Sequence, residues 1–243
     1  MSAAYALAKL GGVMFLFFGL FKRSKSAALK LKQRQEVEVE LYNEDTGYEF
    51  HFTQILDVQS KKVIIKSPGT ERRPIRMIPA QKLFITVVEE NCVHTFDSVV
   101  LDAGEREFDV APPSNVVTEQ LPAFDEEHQL EVAIKVEFRA MNSAHNQMAN
   151  TFSVGHNGLM LTTNLPVPTG TQLLLDIEIP NAPDFSIKGR AVGSHAHPTI
   201  KNKHVCEVEY DNVTEAESSA IIRYAIFAKK RAERIAAREA NGQ

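Results

Sequence analysis

The sequence predicts a mainly β protein built from two small antiparallel β-barrels, with an apolar helix at the N-terminus and a second helix at the C-terminus. Three observations predict this class. Short runs with strict two-residue alternation recur about every ten residues, a spacing typical of small barrels and sandwiches. A proline-rich stretch divides these runs into two sets, and a chain of 243 residues is long enough for two small domains. The end of the chain changes to helical periodicity.

The first set of runs predicts an N-terminal β domain over residues 35–111. The runs are rich in β-branched and aromatic residues, and turn residues such as Pro68, Gly69 and Asn91 separate them. They are EVEVELY (36–42), EFHFTQILDV (49–58), KKVIIKS (61–67), KLFITVV (82–88) and HTFDSVVLD (94–102).

Residues 112–130 are predicted to be a linker between the domains. Pro112, Pro113 and Pro122 disfavour a regular element there. The acidic run Asp125–Glu126–Glu127 is interpreted as a solvated part of this linker, with a contact to a partner protein as the alternative.

The second set of runs predicts another barrel-sized β domain, which with its terminal helix covers residues 131–243. Its runs are LEVAIKVEFRAM (130–141), MANTFSV (148–154), GLMLTTN (158–164), TQLLLDIEIP (171–180), FSIKGRAVGSHA (185–196) and HVCEVEYDNV (204–213).

The last segment predicts one amphipathic helix. Thr214 is suited to the N-cap, with Glu217 as its capping-box partner. An apolar stripe follows at helical spacing, formed by Ile221, Ile222, Ala225, Ile226 and Ala228. Basic side chains crowd the C-terminal half, where the helix dipole favours them: Lys229, Lys230, Arg231, Arg234 and Arg238.

Residues 1–34 predict a membrane anchor and a basic neck. They carry seven Lys and Arg and no acid, so the rest of the chain holds a net charge of about −11. Lys9 is the only charged residue in the apolar run 3–21, which is followed by KRSK. The run fits either a helix that spans the membrane or one that lies in its interface. A cleaved signal peptide or a helix buried in a partner are the alternatives. The predicted anchor residues are Val13, Phe15, Leu16, Phe17, Phe18, Leu20, Phe21, Lys22 and Arg23. The basic flank places the remaining chain on the cytoplasmic side of the membrane.

Several classes of function find no support in the sequence. A basic head on an acidic body is not the charge distribution of a nucleic-acid binder. No nucleotide-binding glycine loop or G-x-S-x-G motif occurs, and no catalytic residue is predicted. His195 and His197, with His204 nearby, could form a metal pair, but the following loop favours polar loop histidines, and no metal ligands are predicted. Cys92 and Cys206 are interpreted as packing residues of alternating strands.

The order and spacing of many weak motifs resemble the flagellar-brake-like (YcgR-like) two-domain PilZ proteins over about residues 36–235. In the first domain the resemblance rests on FTQILDVQSKKVIIKSP (52–68), RRPIRMIPAQKLFITVV (72–88) and HTFDSVVL (94–101). In the second it rests on SVGHNGLMLTTNLPVPTGTQLLLDIEIP (153–180) and HVCEVEYDNVTEAESSAIIRYAIF (204–227). It implies a split barrel, a short linker and a PilZ barrel with a trailing helix.

The resemblance also implies where cyclic di-GMP would bind, and the sequence departs from the family there. The family uses R-x-x-x-R in the linker and D/N-x-S-x-x-G on a strand. Here Gln120 is followed by no arginine before Arg139, and the strand motif becomes S-V-G-H-N-G, with Ser153 and Gly155 as replacements and Gly158 retained. We therefore expect no cofactor. If the nucleotide binds, Ser153, Gly155 and Gly158 would line its site, with Arg139 and Arg190 as the next cations.

The expected function is a non-enzymatic, membrane-tethered PilZ-type adaptor or structural component of a bacterial motility machine, first of all the flagellar motor. Its expected partners are the inner membrane and flagellar stator, switch or basal-body proteins, with a homo-oligomer allowed and nucleic acid excluded. The first alternative is a cyclic di-GMP receptor that controls motility through a non-standard site. The second is a metal-binding protein or metal-dependent enzyme that uses the late histidines.

Overall fold

The structure is a computed structural model, and it describes residues 29–44, 46–70, 73–121, 129–179 and 185–241. The strands before residue 121 are β1 (Glu36–Asn43), β2 (Gly47–Val58), β3 (Val63–Lys66), β4 (Gly69–Thr70), β5 (Arg73–Pro74), β6 (Lys82–Val88), β7 (Cys92–Ala103), β8 (Glu107–Val110) and β9 (Ser114–Gln120). Those after it are β10 (Gln129–Glu131), β11 (Lys135–Ala140), β12 (Gln147–Gly155), β13 (Gly158–Thr163), β14 (Gln172–Ile177), β15 (Ser186–Ala196) and β16 (His204–Asp211). The helix α1 (Glu215–Ala240) ends the described chain.

The first six-stranded sheet closes into a barrel in the order β6–β1–β2–β3–β8–β7, with β7 pairing back to β6. The alternation of β1 explains its orientation, because Val37, Val39 and Leu41 are buried in the barrel core. Glu38 and Glu40 therefore lie on the outer face of the barrel. The strand β9 adds to β7 as an extra strand.

The second barrel has the order β12–β11–β14–β15–β16–β13, with β13 pairing back to β12. The short β10 adds to β12 beside this closure. The predicted mainly β fold with two small barrels and a C-terminal helix is thus confirmed.

The strand β9 lies inside the stretch predicted as linker. Pro112 and Pro113 precede it and Pro122 follows it, so the prolines bound the strand and do not interrupt it. Its pairing with β7, from Cys92 opposite Gln120 to Asp97 opposite Ser114, carries the chain from the first barrel toward the second.

The helix α1 begins as the sequence predicts. The Thr214 hydroxyl accepts a hydrogen bond from the Glu217 amide, and the Thr214 amide donates to the Glu217 carboxylate, which completes the capping box. Four residues of the predicted apolar stripe are buried with Phe227 in the core of the second barrel, and the fifth, Ala228, is partly buried against it. Val88, Val93 and Leu121 of the first half pack into the same core, so α1 and the two barrels share one apolar contact.

The predicted inner-membrane localisation is contradicted. In the part of the chain that the structure describes, no helix is long and apolar enough to cross a bilayer. The long helix α1 carries charged side chains along its length, from Glu215 to Arg238, which a bilayer core does not accommodate. The predicted N-terminal helix and anchor, from Val13 to Arg23, lie outside the described residues.

Candidate functional site

The degenerate nucleotide motif lies where the linker enters the second barrel. Ser153 and Gly155 lie at the end of β12, and Gly158 begins β13. The strand β10 pairs along this end, with Gln129 opposite Gly155 and Glu131 opposite Ser153. The Ser153 hydroxyl is buried and donates a hydrogen bond to the side-chain carbonyl of Gln129. The end of the linker therefore covers the motif strand and satisfies the hydroxyl group of Ser153.

Gly158 has a packing role that does not depend on any ligand. A Cβ placed on this residue would collide with the carbonyl oxygen of Val208 on β16, at a distance that real side chains do not show. The close approach of β13 to β16 requires a glycine here. Retention of this glycine is therefore explained by packing alone.

The predicted cations do not supply a site for two phosphates. Arg190 on β15 lies across β16 from Gly158, since Glu209 pairs in register with both residues. The Arg190 guanidinium is 3.6 Å from the Glu209 carboxylate, which partly neutralises the charge of the arginine. The Arg139 guanidinium donates to the carbonyl of Ser143 in the turn that follows β11. Both predicted cations thus have partners of their own.

The late histidines do not converge on a metal site. His195 lies 3.5 Å from the Glu207 carboxylate and is half exposed. The Nδ1 atom of His197 accepts hydrogen bonds from the amides of Thr199 and Ile200, which builds the turn after β15. The predicted loop position holds for His197 alone of these three histidines, because His195 is part of β15 and His204 begins β16. Among the described residues one other group, Glu89, Cys92 and His94, brings metal-binding atoms together.

The most extensive polar contact joins α1 to the first barrel. Arg231, Arg234 and Arg238, which we call the arginine ladder, project from one face of α1 onto Glu38 and Glu40 of β1. Glu38 is fully buried and accepts from Arg231 and from Nη2 of Arg234, the latter at 2.7 Å. Glu40 is 2% exposed and accepts from Nε of Arg234 at 2.7 Å and from Arg238. The ladder therefore covers the two outward carboxylates of β1.

Aromatic rings line the same contact. The guanidinium of Arg231 lies 5.0 Å from the ring centre of Phe50, that of Arg234 lies 5.1 Å from Phe84, and that of Arg238 lies 3.6 Å from Tyr48. These distances permit cation–π attraction in a site that water reaches poorly. Burial lowers the pKa of Arg234, while the Glu38 carboxylate opposes that shift and favours the charged guanidinium.

A cleft of about 530 Å³ lies between the β6–β7 turn and the start of α1. Its lining includes Glu89, Glu90 and Glu215, with Arg223 and His156 on the helix side. Arg223 is engaged with Glu36 at 2.9 Å. The acidic lining disfavours an anionic ligand at this cleft.

The arginine ladder was not predicted from the sequence. The alternation of EVEVE places Glu38 and Glu40 outside the barrel, where carboxylates are normally solvated. The one available signal is the spacing 231, 234 and 238, which puts three arginines on a single helix face. That face could be assigned to solvent as readily as to a carboxylate pair 193 residues away in sequence.

Comparison with known proteins identifies the first barrel. Residues 25–110 match the family model described as "Flagellar protein YcgR". The first barrel thus matches the N-terminal family of YcgR, and the predicted resemblance to YcgR-like proteins is confirmed over this barrel. No protein among the curated sequences matches the chain.

Several solved structures are similar to the chain at low sequence identity. The Bacillus subtilis inhibitor of motility MotI/DgrA is 12% identical, with a TM-score of 0.36, covering 83% of this chain and 99% of that one. The Klebsiella pneumoniae MrkH–c-di-GMP complex is 11% identical, with a TM-score of 0.36, covering 83% and 90%. Escherichia coli YcgR in complex with c-di-GMP is 8% identical, with a TM-score of 0.32, covering 85% and 88%.

Proposed function

We propose that this protein is a non-enzymatic PilZ-type adaptor of a bacterial motility machine, and that cyclic di-GMP does not regulate it through the usual PilZ site. The motility assignment is supported by the family of the first barrel, described as a flagellar protein. The candidate partners are stator, switch or basal-body components of the flagellar motor. The two barrels and their exposed strands are the surfaces offered to such partners.

The observation that carries the proposal is the arrangement at the Ser153 strand. The side chain of Gln129 accepts a hydrogen bond from the Ser153 hydroxyl, and β10 pairs along the strand that would face the nucleotide. A ligand with two phosphates needs charge-assisted bonds from arginines to offset its desolvation. Among the described residues, the one arginine that lies opposite Gly158 across β16 is Arg190, and it forms an ion pair with Glu209.

The arginine ladder supports an adaptor that is already assembled. In a nucleotide-driven switch, the relative positions of the domains change when the ligand orders the linker. Here buried ion pairs between α1 and β1 hold the second barrel against the first without a ligand. Breaking them would leave uncompensated buried charge, which is strongly unfavourable.

The motility assignment is tested by deleting the gene in its own bacterium and measuring swimming in soft agar and motor rotation. We expect altered swimming with flagella still assembled, restored by the wild-type gene. In-cell crosslinking from exposed positions such as Tyr42 and Leu165 would then trap a motor component. Unchanged swimming together with no motor protein in the crosslinked material would contradict the proposal.

A further inference from the structure

The turn between β6 and β7 gathers three side chains of different chemistry. Glu89 lies at the start of the turn, and its amide donates to the Cys92 carbonyl at 2.9 Å, which closes the hairpin. Cys92 and His94 are two residues apart on β7 and therefore share one face of that strand. The turn thus brings a carboxylate, a thiol and an imidazole to one point, with all three ligand atoms within 4.8 Å of one another.

The distances within this trio fit a tetrahedral ion. A zinc ion with bonds of about 2.3 Å to sulfur and about 2.0–2.1 Å to nitrogen and oxygen sets ligand separations of about 3.3–3.6 Å. The Cys92 Sγ and His94 Nε2 atoms are 3.2 Å apart, and Sγ lies 3.9 Å from the nearer Glu89 oxygen. His94 Nε2 lies 3.6 Å from that same oxygen. Each separation is within about 0.4 Å of the tetrahedral value.

Neighbouring groups hold two of the three ligands in place. The other ring nitrogen of His94, Nδ1, is 2.9 Å from the Thr118 hydroxyl, and in the tautomer with its proton on Nδ1 the Nε2 lone pair faces Cys92. The amide of Gln35 donates to the second oxygen of Glu89 at 3.2 Å. In protein metal sites, such hydrogen-bond partners orient the side chains that bind the ion.

The trio is both fixed and accessible. His94 is 3% exposed, which is unusual for an imidazole without a structural or ligand role. Cys92 and Glu89 are partly exposed and line a groove of about 560 Å³ between the hairpin and residues 32–35. An ion can enter from this groove, and a water molecule could complete its coordination from the same side.

We propose that Glu89, Cys92 and His94 form a three-ligand site for a divalent transition-metal ion of the zinc class. A thiolate and an imidazole select such an ion over Mg²⁺ and Ca²⁺. A thiolate and a carboxylate together balance the charge of the ion. Through Thr118 on β9 the site connects the hairpin to the strand that leads into the linker, so a bound ion would tie the linker to the first barrel.

The test uses the full chain, freed of metal with a chelator and titrated with Co²⁺ and then with Zn²⁺. We expect one Co²⁺ per chain, with the visible absorption of a tetrahedral complex and a thiolate charge-transfer band, both lost when Zn²⁺ displaces it. Binding should release protons. Cys92→Ser should remove the charge-transfer band, and Glu89→Gln should weaken binding at least tenfold. Thr118→Val should weaken it about 10–100-fold, because it affects only the orientation of His94.

The control variant is His195→Ala, which removes a histidine that also faces a glutamate but stands outside the trio. It should bind Co²⁺ as the wild type does. Circular dichroism of each metal-free variant separates loss of binding from loss of folding. The proposal is overturned if the folded wild type takes up no stoichiometric Co²⁺ or Zn²⁺, or if His195→Ala abolishes binding while Cys92→Ser leaves it intact.

Discussion

Replacement of Arg234 by methionine is expected to weaken the junction between the barrels. The guanidinium of Arg234 donates to Glu38 and Glu40 at 2.7 Å each and to the Thr86 hydroxyl at 3.0 Å. Methionine keeps a flexible apolar chain against the aromatic rings of Phe50 and Phe84, so the change removes charge more than packing.

The expected loss follows from these bonds. Each net hydrogen bond to a charged group contributes about 1.5–3 kcal/mol, and removing one partner of a buried ion pair costs about 3–5 kcal/mol. Glu38 keeps Arg231 and Glu40 keeps Arg238 in the variant. We therefore expect a loss near the lower end of the second range, about 3 kcal/mol in the free energy of unfolding.

The assay is equilibrium urea unfolding followed by circular dichroism, with limited proteolysis as a probe of domain separation. The matched control is Arg223→Met on the same helix, whose partner Glu36 is about half exposed. Because exposed ion pairs contribute little, the control should lose less than about 1 kcal/mol. Faster cleavage between the barrels is expected in Arg234→Met alone. Equal small losses in the two variants would refute the reasoning that the arginine ladder holds the barrels together.

Two further predictions concern local features. Thr214→Ala should lower the free energy of unfolding by about 1 kcal/mol, the usual contribution of a helix cap. The hydrogen bonds from Thr214 lower the pKa of Glu217. The contribution of Glu217 to folding stability is therefore present above its unfolded pKa and lost as the pH falls through its folded pKa. The difference in the free energy of unfolding between the wild type and Thr214→Ala should therefore become smaller at acid pH. Gly158→Ala should lower the free energy of unfolding by about 1–3 kcal/mol through overpacking against Val208. Gly193→Ala should lower it less in the same denaturation experiment, because the added methyl group would contact only the flexible side chain of Glu207. A loss in Gly193→Ala as large as that in Gly158→Ala would be inconsistent with the packing role of Gly158.

Most of the fold could be predicted because its strands alternate strictly. The run at 36–42 alternates polar and apolar residues and places Val37, Val39 and Leu41 in the barrel core, and this period alone identifies it as a strand. The four-residue β8 at 107–110 was missed because so short a run shows little alternation. Closure of each barrel also depends on pairing between strands that are distant in sequence, such as β1 with β6 and β13 with β16, which no local pattern specifies.

The contacts at the junction could be predicted only in part. The capping box of α1 was predicted because it is local, with both partners within four residues. The arginine ladder joins residues that are 193 to 198 positions apart in the sequence. The local sequence around an outward-facing carboxylate does not indicate which other element packs on it. Cys92 and His94 share a strand face by period, whereas Glu89 joins them only because the hairpin turn is tight.

The central claim of the proposed function is that this chain does not use cyclic di-GMP through the motif at Ser153. The most direct measurement is isothermal titration of the nucleotide into the full chain at tens of micromolar protein, with a PilZ protein known to bind it as the positive control. We predict no saturable heat. Saturable binding at micromolar or tighter affinity, reduced by Arg190→Ala, would contradict the claim and would make the protein a nucleotide-controlled switch.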